Sequence, residues 1–296
     1  MEFNEQDLKV DQVLTHRLGS TFDTPIYIAP LGDIQWNGDK NEIWVDGLKD
    51  YIAEAMELGA WFIGMGDYVD FASPSNRSAL AGIKKYDSTE NNLDSIALER
   101  QMEVYDKFLR PTKGRWLGML EGHHYWEYST GGTSDTRLCE LLGAPFLGKA
   151  AIVRLAVTCF SNRKLTYNIW AHHGEGGGSE SAMVLRMKRI AQYWERIDLF
   201  LMGHATKKPV TPIPRIEPDF KKVTRLRHRD VYLVGTGGWL KGYVEGRTRK
   251  GRASGTYVEE RMLDPVSLGA PLIRLTPTRW ERGGLSTSKI MTKVIV

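Results

Sequence analysis

Cysteine is nearly absent from this chain of 296 residues. Cys139 and Cys159 are too few for a disulfide framework and lack the spacing of a metal-binding pair. A reducing, cytoplasmic setting is therefore expected. No apolar run approaches the ~18–20 residues that a membrane-crossing helix needs, so no membrane partner is expected. The opening stretch MEFNEQDLKVDQV is charged, lacks an apolar centre and does not read as a secretory signal. Charge of one sign is not in excess either: 40 Lys and Arg face 36 Asp and Glu, a net charge of +4 that names no partner by itself. Repeats, low-complexity tracts and a Pro/Gly/Ser linker are also missing. What is present, 42% apolar and 26% charged residues, excludes a disordered or fibrous chain. The length allows a sizeable core. Histidine is scarce, with seven residues, and their placement carries the functional reading.

Strand and helix patterns alternate up to about residue 200. Residues 1–22 are polar and mixed, with apolar Leu8, Val10, Val13 and Leu14, and are expected to form a short helix or arm outside the main fold. Residues 23–296 read as a single domain. Short apolar runs bounded by turn residues predict strands at 26–31, 61–65, 116–120, 150–158, 165–171 and 198–202. Helical spacing predicts helices at about 42–58, 93–109, 136–142 and 181–193; Ile43, Leu48, Ile52, Ala55 and Met56 make the stripe of the first. Residues 71–90, with Ser, Pro, Gly and Asn, read as a loop or cap-like excursion. The tail from about 207 reads as strands and turns, clearest at 231–234 and 271–275. This is an α/β pattern whose extra strand pairs point to a mixed sheet, or two stacked sheets.

Residues able to hold a metal follow the apolar strands directly. IYIAPL runs into Gly32-Asp33-Ile34-Gln35, and WFIGM into Gly66-Asp67-Tyr68-Val69-Asp70. WLGML runs into Glu121-Gly122-His123-His124, the strand ending at Trp170 into Ala171-His172-His173-Gly174, and DLFLM into Gly203-His204-Ala205-Thr206. In open α/β sheets ligands bind beyond the carboxyl ends of the strands, so the five turns are expected to converge. Five of the seven histidines lie in them. Mixed Asp and His donors suit Mn, Fe or Zn better than an all-oxygen Ca or Mg site.

These motifs resemble the calcineurin-like metallophosphoesterases over about residues 26–206. The pattern there is D-x-H, G-D-x-x-D, G-N-H-D/E, an isolated His before Gly, and G-H-x-H. The strings WLKGYVEG, SGTYVEE and PVSLGAP resemble the phage-borne branch more loosely. The resemblance implies a four-layer α-β-β-α sandwich of two mixed sheets flanked by helices, and a dimetal hydrolase acting on phosphoesters. It makes Asp33 a ligand of the first metal and Asp67 the bridge between two. It makes His123, His173 and His204 ligands, and His124 the general acid oriented by Asp70. Two positions depart from the pattern: Gln35 stands where D-x-H has His, and Thr206 replaces the second His of G-H-x-H. His123 stands where the family has Asn. One tight site (Asp67, His123, His173, His204) and one weaker site (Asp33, Asp67, Gln35, Thr206) are therefore expected, with Mn the leading cation and Fe, Zn or Mg alternatives.

The substrate expectation is a nucleic acid or nucleotide diester. His172, Tyr125 and Trp36 are candidate substrate contacts, the aromatics through base stacking. Gly174–Ser179 is glycine-rich enough to present N–H groups to phosphate. Two basic stretches, Lys221, Lys222, Arg225, Arg227, His228 and Arg229, then Arg247, Arg249, Lys250 and Arg252, read either as solvated charge or as a phosphate-tracking groove. Arg77, Lys84 and Lys85 would face the site if residues 71–90 cap it. Phosphomonoester or phosphoprotein hydrolysis is the alternative chemistry. It is weakened because Phe71 follows Gly-Asp-Tyr-Val-Asp and Tyr125 follows Gly-His-His, where that subfamily carries arginines. A non-catalytic assembly protein on the same scaffold is the alternative of a different class. Oligomeric state is not legible.

Overall fold

The computed structural model describes residues 13–159, 163–176, 179–219, 225–282 and 285–296. The chain order is β1 (Val13–Gly19), β2 (Ile26–Leu31), α1 (Val45–Glu57), β3 (Trp61–Gly64), α2 (Pro74–Ala81), α3 (Asp87–Val104), β4 (Trp116–Met119) and α4 (Ser134–Leu142). It continues with β5 (Ala150–Cys159), β6 (Arg163–His172), α5 (Glu180–Ile190), β7 (Leu199–Met202), β8 (Val210–Asp219) and β9 (Arg225–Gly235). Then come β10 (Thr248–Arg249), β11 (Arg252–Ala253), α6 (Tyr257–Glu260), β12 (Leu272–Arg282) and β13 (Leu285–Ile295).

Two mixed sheets are stacked. One has the order β1-β5-β6-β7-β9-β8 and the other β13-β12-β2-β3-β4. Strand periodicity explains the stacking, because alternate residues point to opposite faces. Ile28, Ile63, Leu117, Ile273 and Leu275 of one sheet meet Val153, Leu155, Ile169, Leu199 and Leu201 of the other in a dry layer between them. The intervening Ala29, Leu31, Phe62 and Trp116 face outward and are covered by Leu48 and Ile52 of α1, Val104 of α3, and Leu138 and Leu142 of α4. On the far side, Trp170, Phe200 and Leu233 are covered by Met183 and Met187 of α5. The result is the α-β-β-α layering that the resemblance implies.

The sheet register places the site. β2, β3 and β4 run parallel, as do β6, β7 and β9. The carboxyl ends of both sets open at one end of the sandwich. β2, β3, β4, β6 and β7 each deliver one of the five motif turns there.

Two expectations are corrected. The arm expected over 1–22 is not outside the fold where it is described: Val13–Gly19 pairs in parallel with β5 as an edge strand. Leu14 and Leu18 lean on the inter-sheet core and His16 Nε2 lies 2.7 Å from the Leu117 carbonyl oxygen. The period-2 pattern Leu14-x-His16-x-Leu18 was masked by a histidine in an inward position. Leu8 and Val10 lie outside the described residues. Residues 71–90 are not a loop but α2 and the start of α3, with Ser73 capping α2 through the Asn76 N–H.

If β1 belongs to the fold, removing residues 1–19 should lower thermal stability. It uncovers the edge of β5 and takes two half-buried leucines off the core, a loss of about 2 kcal/mol or more. Calorimetry of the shortened chain checks this; an unchanged melting temperature would make β1 dispensable.

Candidate metal centre

The turns that hold the candidate ligands are wound tightly. Asp33, Gln35, Asp67, His204 and Thr206 all have positive φ, between 48° and 63°. They are five of the nine non-glycine residues with positive φ among those described. Such a backbone costs an L-residue of order 1 kcal/mol or more and persists only when the surroundings enforce it. Here the enforcement is visible. Asp33 N–H donates to the Gly66 carbonyl at 2.9 Å, Gln35 N–H to that of Asp67 at 2.9 Å, and His204 N–H to Asp33 Oδ2 at 3.0 Å. Each turn is thus held by a neighbouring turn.

Two glycines let the turns approach. A Cβ on Gly122 would collide with the Asp67 carboxylate and backbone nitrogen. A Cβ on Gly66, at φ +90°, would lie 2.7 Å from His173 Nδ1 and from the Gly122 Cα. Only bare backbone fits where these loops cross.

Asp67, His123, His173 and His204 converge at this crossing, with one donor atom from each within 4.8 Å of all the others. His173 Nε2 stands 3.3 Å from Asp67 Oδ2, and His123 Nδ1 stands 3.2 Å from His204 Nδ1. Asp33 lies alongside. Thr206 and Asp33 flank Gly238, whose missing Cβ would lie 2.9 Å from the Thr206 methyl and 3.1 Å from the Asp33 Cβ.

These donors fit a cation. Asp33 and Asp67 are 0% and 1% exposed, and His173 is 1% exposed. Asp33 Oδ1 is buried without a hydrogen-bond partner, and Asp67 Oδ2 and His173 Nε2 are buried with only each other, 3.3 Å apart. Leaving such atoms unpaired costs about 1–3 kcal/mol each, more when charged. A divalent ion held by the quartet would satisfy the Asp67 and His173 atoms together. Carboxylate and imidazole donors are what a transition metal takes.

The protonation states follow the same geometry. Burial raises the Asp33 carboxyl, and the Asp67 charge adds to the rise. Burial opposes the charge on Asp67 too. There the His173 charge, its hydrogen bond and the backbone N–H of His123 outweigh it and hold the carboxyl far below the usual range. Burial works against a charged His173, but Asp67 and Asp33 overcome it and push the imidazole up to about 9. His204 goes down to about 4 through burial and the neighbouring His173 and His123, and His123 is lowered by the same burial and His173 charge.

His124 adjoins the quartet. Its Nδ1 lies 2.7 Å from Asp70 Oδ1, and its backbone N–H donates to Asp67 Oδ1 at 3.0 Å. Burial lowers its pKa, but the hydrogen bond to Asp70 and the charges of Asp67 and Asp70 raise it overall.

The candidate substrate contacts fare unevenly. Trp36 is 2% exposed; its indole N–H donates to Glu103 at 2.7 Å and its ring meets Phe108 edge-on, so it is a core residue and presents no face to a base. His172 Nδ1 accepts the Gly174 N–H at 2.7 Å and the ring stacks on Trp170, a turn-forming role. Tyr125 is half-buried beneath the Arg77 guanidinium, 3.8 Å from its ring centroid. Of the basic stretches, Lys221 and Lys222 lie outside the described residues. Arg229 is engaged by Asp198 and Glu217, and Arg247 by Glu42. Those two arginines are therefore not open to a phosphate backbone. Of the proposed cap cations, Lys85 turns back to the Leu80 carbonyl and Lys84 is exposed.

One functional neighbour escaped the sequence reading. Asp135, 1% exposed near the start of α4, accepts the Gly122 N–H at 3.1 Å, and burial drives its carboxyl up to about 7. A lone Asp in a helix's first turn reads as a capping residue, and nothing in the sequence places it behind the Gly-His-His turn.

Metal uptake should release protons. With His173 held protonated up to about pH 9, a cation bound through that imidazole must expel its proton. Apparent affinity for Mn²⁺ or Zn²⁺ should climb as pH rises toward 9 and level off above it. Titration calorimetry in buffers of different ionisation enthalpy counts the protons; uptake without proton release between neutrality and pH 9 would take His173 out of the ligand set.

No protein-family profile matches this chain, and no curated protein matches it in sequence. Among solved structures it is similar to one titled "Structure of Vacuolar Protein Sorting 29 from Cryptosporidium Parvum". The identity is 10% and the TM-score 0.32, over 91% of this chain and 98% of that one. A likeness that slight leaves the functional reading to the chain's own residues.

Proposed function

We propose that this chain is a metal-dependent phosphoesterase hydrolysing phosphodiesters of nucleic acids or nucleotides. The supporting observation is the His124–Asp70 pair, 2.7 Å apart, beside the metal-donor quartet: His124 directly follows His123, and Asp70 stands three residues after Asp67. A proton donor next to a cation cradle is the pairing that metal-assisted hydrolysis of a phosphoester uses. When bound, a divalent metal supplies Lewis acidity toward phosphoryl oxygens and a water activated near neutral pH. The residues supply the rest. Asp67, His123, His173 and His204 hold the tight cation, and Asp33 with Gln35 and Thr206 offers a weaker second position rich in oxygen, suited to Mn or Mg. Asp70 accepts the Nδ1–H of His124 and so leaves Nε2 to carry a proton toward the departing oxygen. The raised pKa of His124 keeps that proton in place near neutrality.

Diesters are favoured over monoesters by the lack of a free guanidinium at the turn. Phe71 and Tyr125 occupy the positions where phosphoprotein phosphatases carry arginine, and Arg77 Nη1 faces backbone carbonyls. The second reading, an assembly protein on a phosphoesterase scaffold, draws on Gln35 and Thr206, which leave one cation position without imidazole.

The direct test is hydrolysis of bis-p-nitrophenyl phosphate, p-nitrophenyl phosphate and single-stranded DNA with added Mn²⁺. Activity on the diesters is expected, and its absence under every divalent metal would favour the scaffold reading. His124→Asn should lower turnover by roughly 10²–10⁴-fold while the tight metal stays bound. The defect should shrink with a nitrophenolate leaving group; an equal defect for alkoxide and nitrophenolate would make His124 a positioning group. Activity should also need more Mn²⁺ than saturates the quartet, because neutral oxygens hold the second cation weakly. Gln35→His with Thr206→His should lower the half-maximal Mn²⁺ concentration, and a wild type fully active with one bound ion would exclude the two-metal arrangement.

A further inference from the structure

We propose that Arg77 is the positioning residue for His123 and His124, holding their turn in register from the excursion between β3 and α3. The inference rests on the reading that the quartet binds a metal.

The backbone of the turn can be accounted for group by group. On the donor side, Gly122 N–H goes to Asp135, and the N–H groups of His123 and His124 both go to Asp67 Oδ1. On the acceptor side, the carbonyl oxygens of His123, His124 and Tyr125 all face the 71–77 segment. The His124 oxygen takes the Phe71 N–H at 3.2 Å. The other two take Arg77 Nη1, at 2.7 Å from His123 and 2.9 Å from Tyr125. The same nitrogen lies 2.7 Å from the Ala72 oxygen, which ties the excursion to the turn. The guanidinium plane covers the Tyr125 ring, and the side chain is 15% exposed. Its nearest carboxylate, Glu127, stands 3.9 Å off and is itself exposed, so ion pairing does not explain the burial.

α2 makes the point from the other side. None of its residues other than Arg77 reaches the turn in the contacts above, and none is buried. Its place is set by its own Leu80 and by the preceding Phe71 and Ala72, which pack with Trp126 and Tyr128 in a small cluster. Leu80 fixes the helix against the loop, and Arg77 is the residue of α2 whose hydrogen bonds reach the carbonyls of the turn. One nitrogen, Nη1, serves the Ala72, His123 and Tyr125 carbonyls while the guanidinium carbon sits over the Tyr125 ring; an ammonium could reach the same oxygens but would lose the contact of a flat, weakly hydrated cation with the ring. Without it two half-buried carbonyls lose their donor and His123 is free to drift from the quartet.

The test uses the full-length chain and Co²⁺ alone, whose visible absorption reports ligand geometry without any substrate. Arg77→Met should weaken Co²⁺ binding by about ten- to a hundredfold, the range for residues that orient metal ligands. It should also shift the absorption band. Arg77→Lys should recover part of the affinity, free guanidinium ion should restore part of it to Arg77→Met, and Lys84→Ala on the same excursion should match the wild type. An Arg77→Met chain with wild-type Co²⁺ affinity and spectrum overturns the proposal, even if it melts at a lower temperature. If Arg77→Met does not fold, Arg77→Gln decides, because its shorter side chain carries the amide away from the His123 and Tyr125 carbonyls, and wild-type Co²⁺ affinity and spectrum there overturn the proposal. A wild-type chain that takes up no Co²⁺ overturns the metal reading, and the inference with it.

Discussion

Asp67 is a carboxylate that cannot reach water, and the arrangement of the centre follows from satisfying it. A buried charge survives only when hydrogen-bonded or paired. One oxygen of Asp67 takes two successive backbone N–H groups from the loop after β4, while the other faces His173 at the end of β6. β4 belongs to Asp67's own sheet and β6 to the facing one. One side chain thus pins together loops from both halves of the sandwich, and the glycines at 66 and 122 are the condition for it. Any side chain at either position would hold the loops apart.

The same region concentrates what a folded chain normally avoids. Five left-handed residues, an unpaired buried oxygen on Asp33 and a buried Asp67 Oδ2–His173 Nε2 pair whose two atoms have no other partner occupy one small volume. Each is unfavourable alone, and the dry layer of Ile, Leu and Val between the sheets supplies the stability that tolerates them. Strain and unsatisfied polarity gathered at one point are the physical mark of a site built for a ligand that the polypeptide itself does not supply. The protonation pattern agrees: His173 is drawn upward and Asp67 downward, and their charges face each other across the space a cation would fill.

Around that centre sits a second tier that carries no chemistry of its own. Asp70 orients His124, Asp135 holds the Gly122 N–H, and Arg77 holds the carbonyls of the same turn. Asp70 and Arg77 come from the segment between β3 and α3, and Asp135 from the start of α4. Asp70 was legible because it stands three residues after Asp67 in a recognisable string. Asp135 was not, because it looks like a helix cap; Arg77 was legible only as a cap cation facing the site, and its place under the carbonyls of the Gly-His-His turn was not. Trp36 erred in the other direction. Its place beside Gln35 suggested a base-stacking surface, but its indole turns inward to Glu103 because the strand-to-turn geometry at Asp33 and Gln35 points the next residue at the helix layer.

The α/β class, the order of strands up to residue 200 and the five turns that carry the candidate ligands are properties of the sequence alone. They depend on local signals: apolar runs of strand length, and Gly next to Asp or His directly after them. β1 was lost because His16 interrupts its alternation, and α2 because turn-forming residues outweighed a short polar helix. Only the tertiary structure decided which donors meet. Convergence of Asp67, His123, His173 and His204 depends on how two sheets stack and where their loops cross, a matter of contacts between residues far apart in the chain. Local pattern can nominate a ligand, but the distance between two ligands is set by the packing of everything between them.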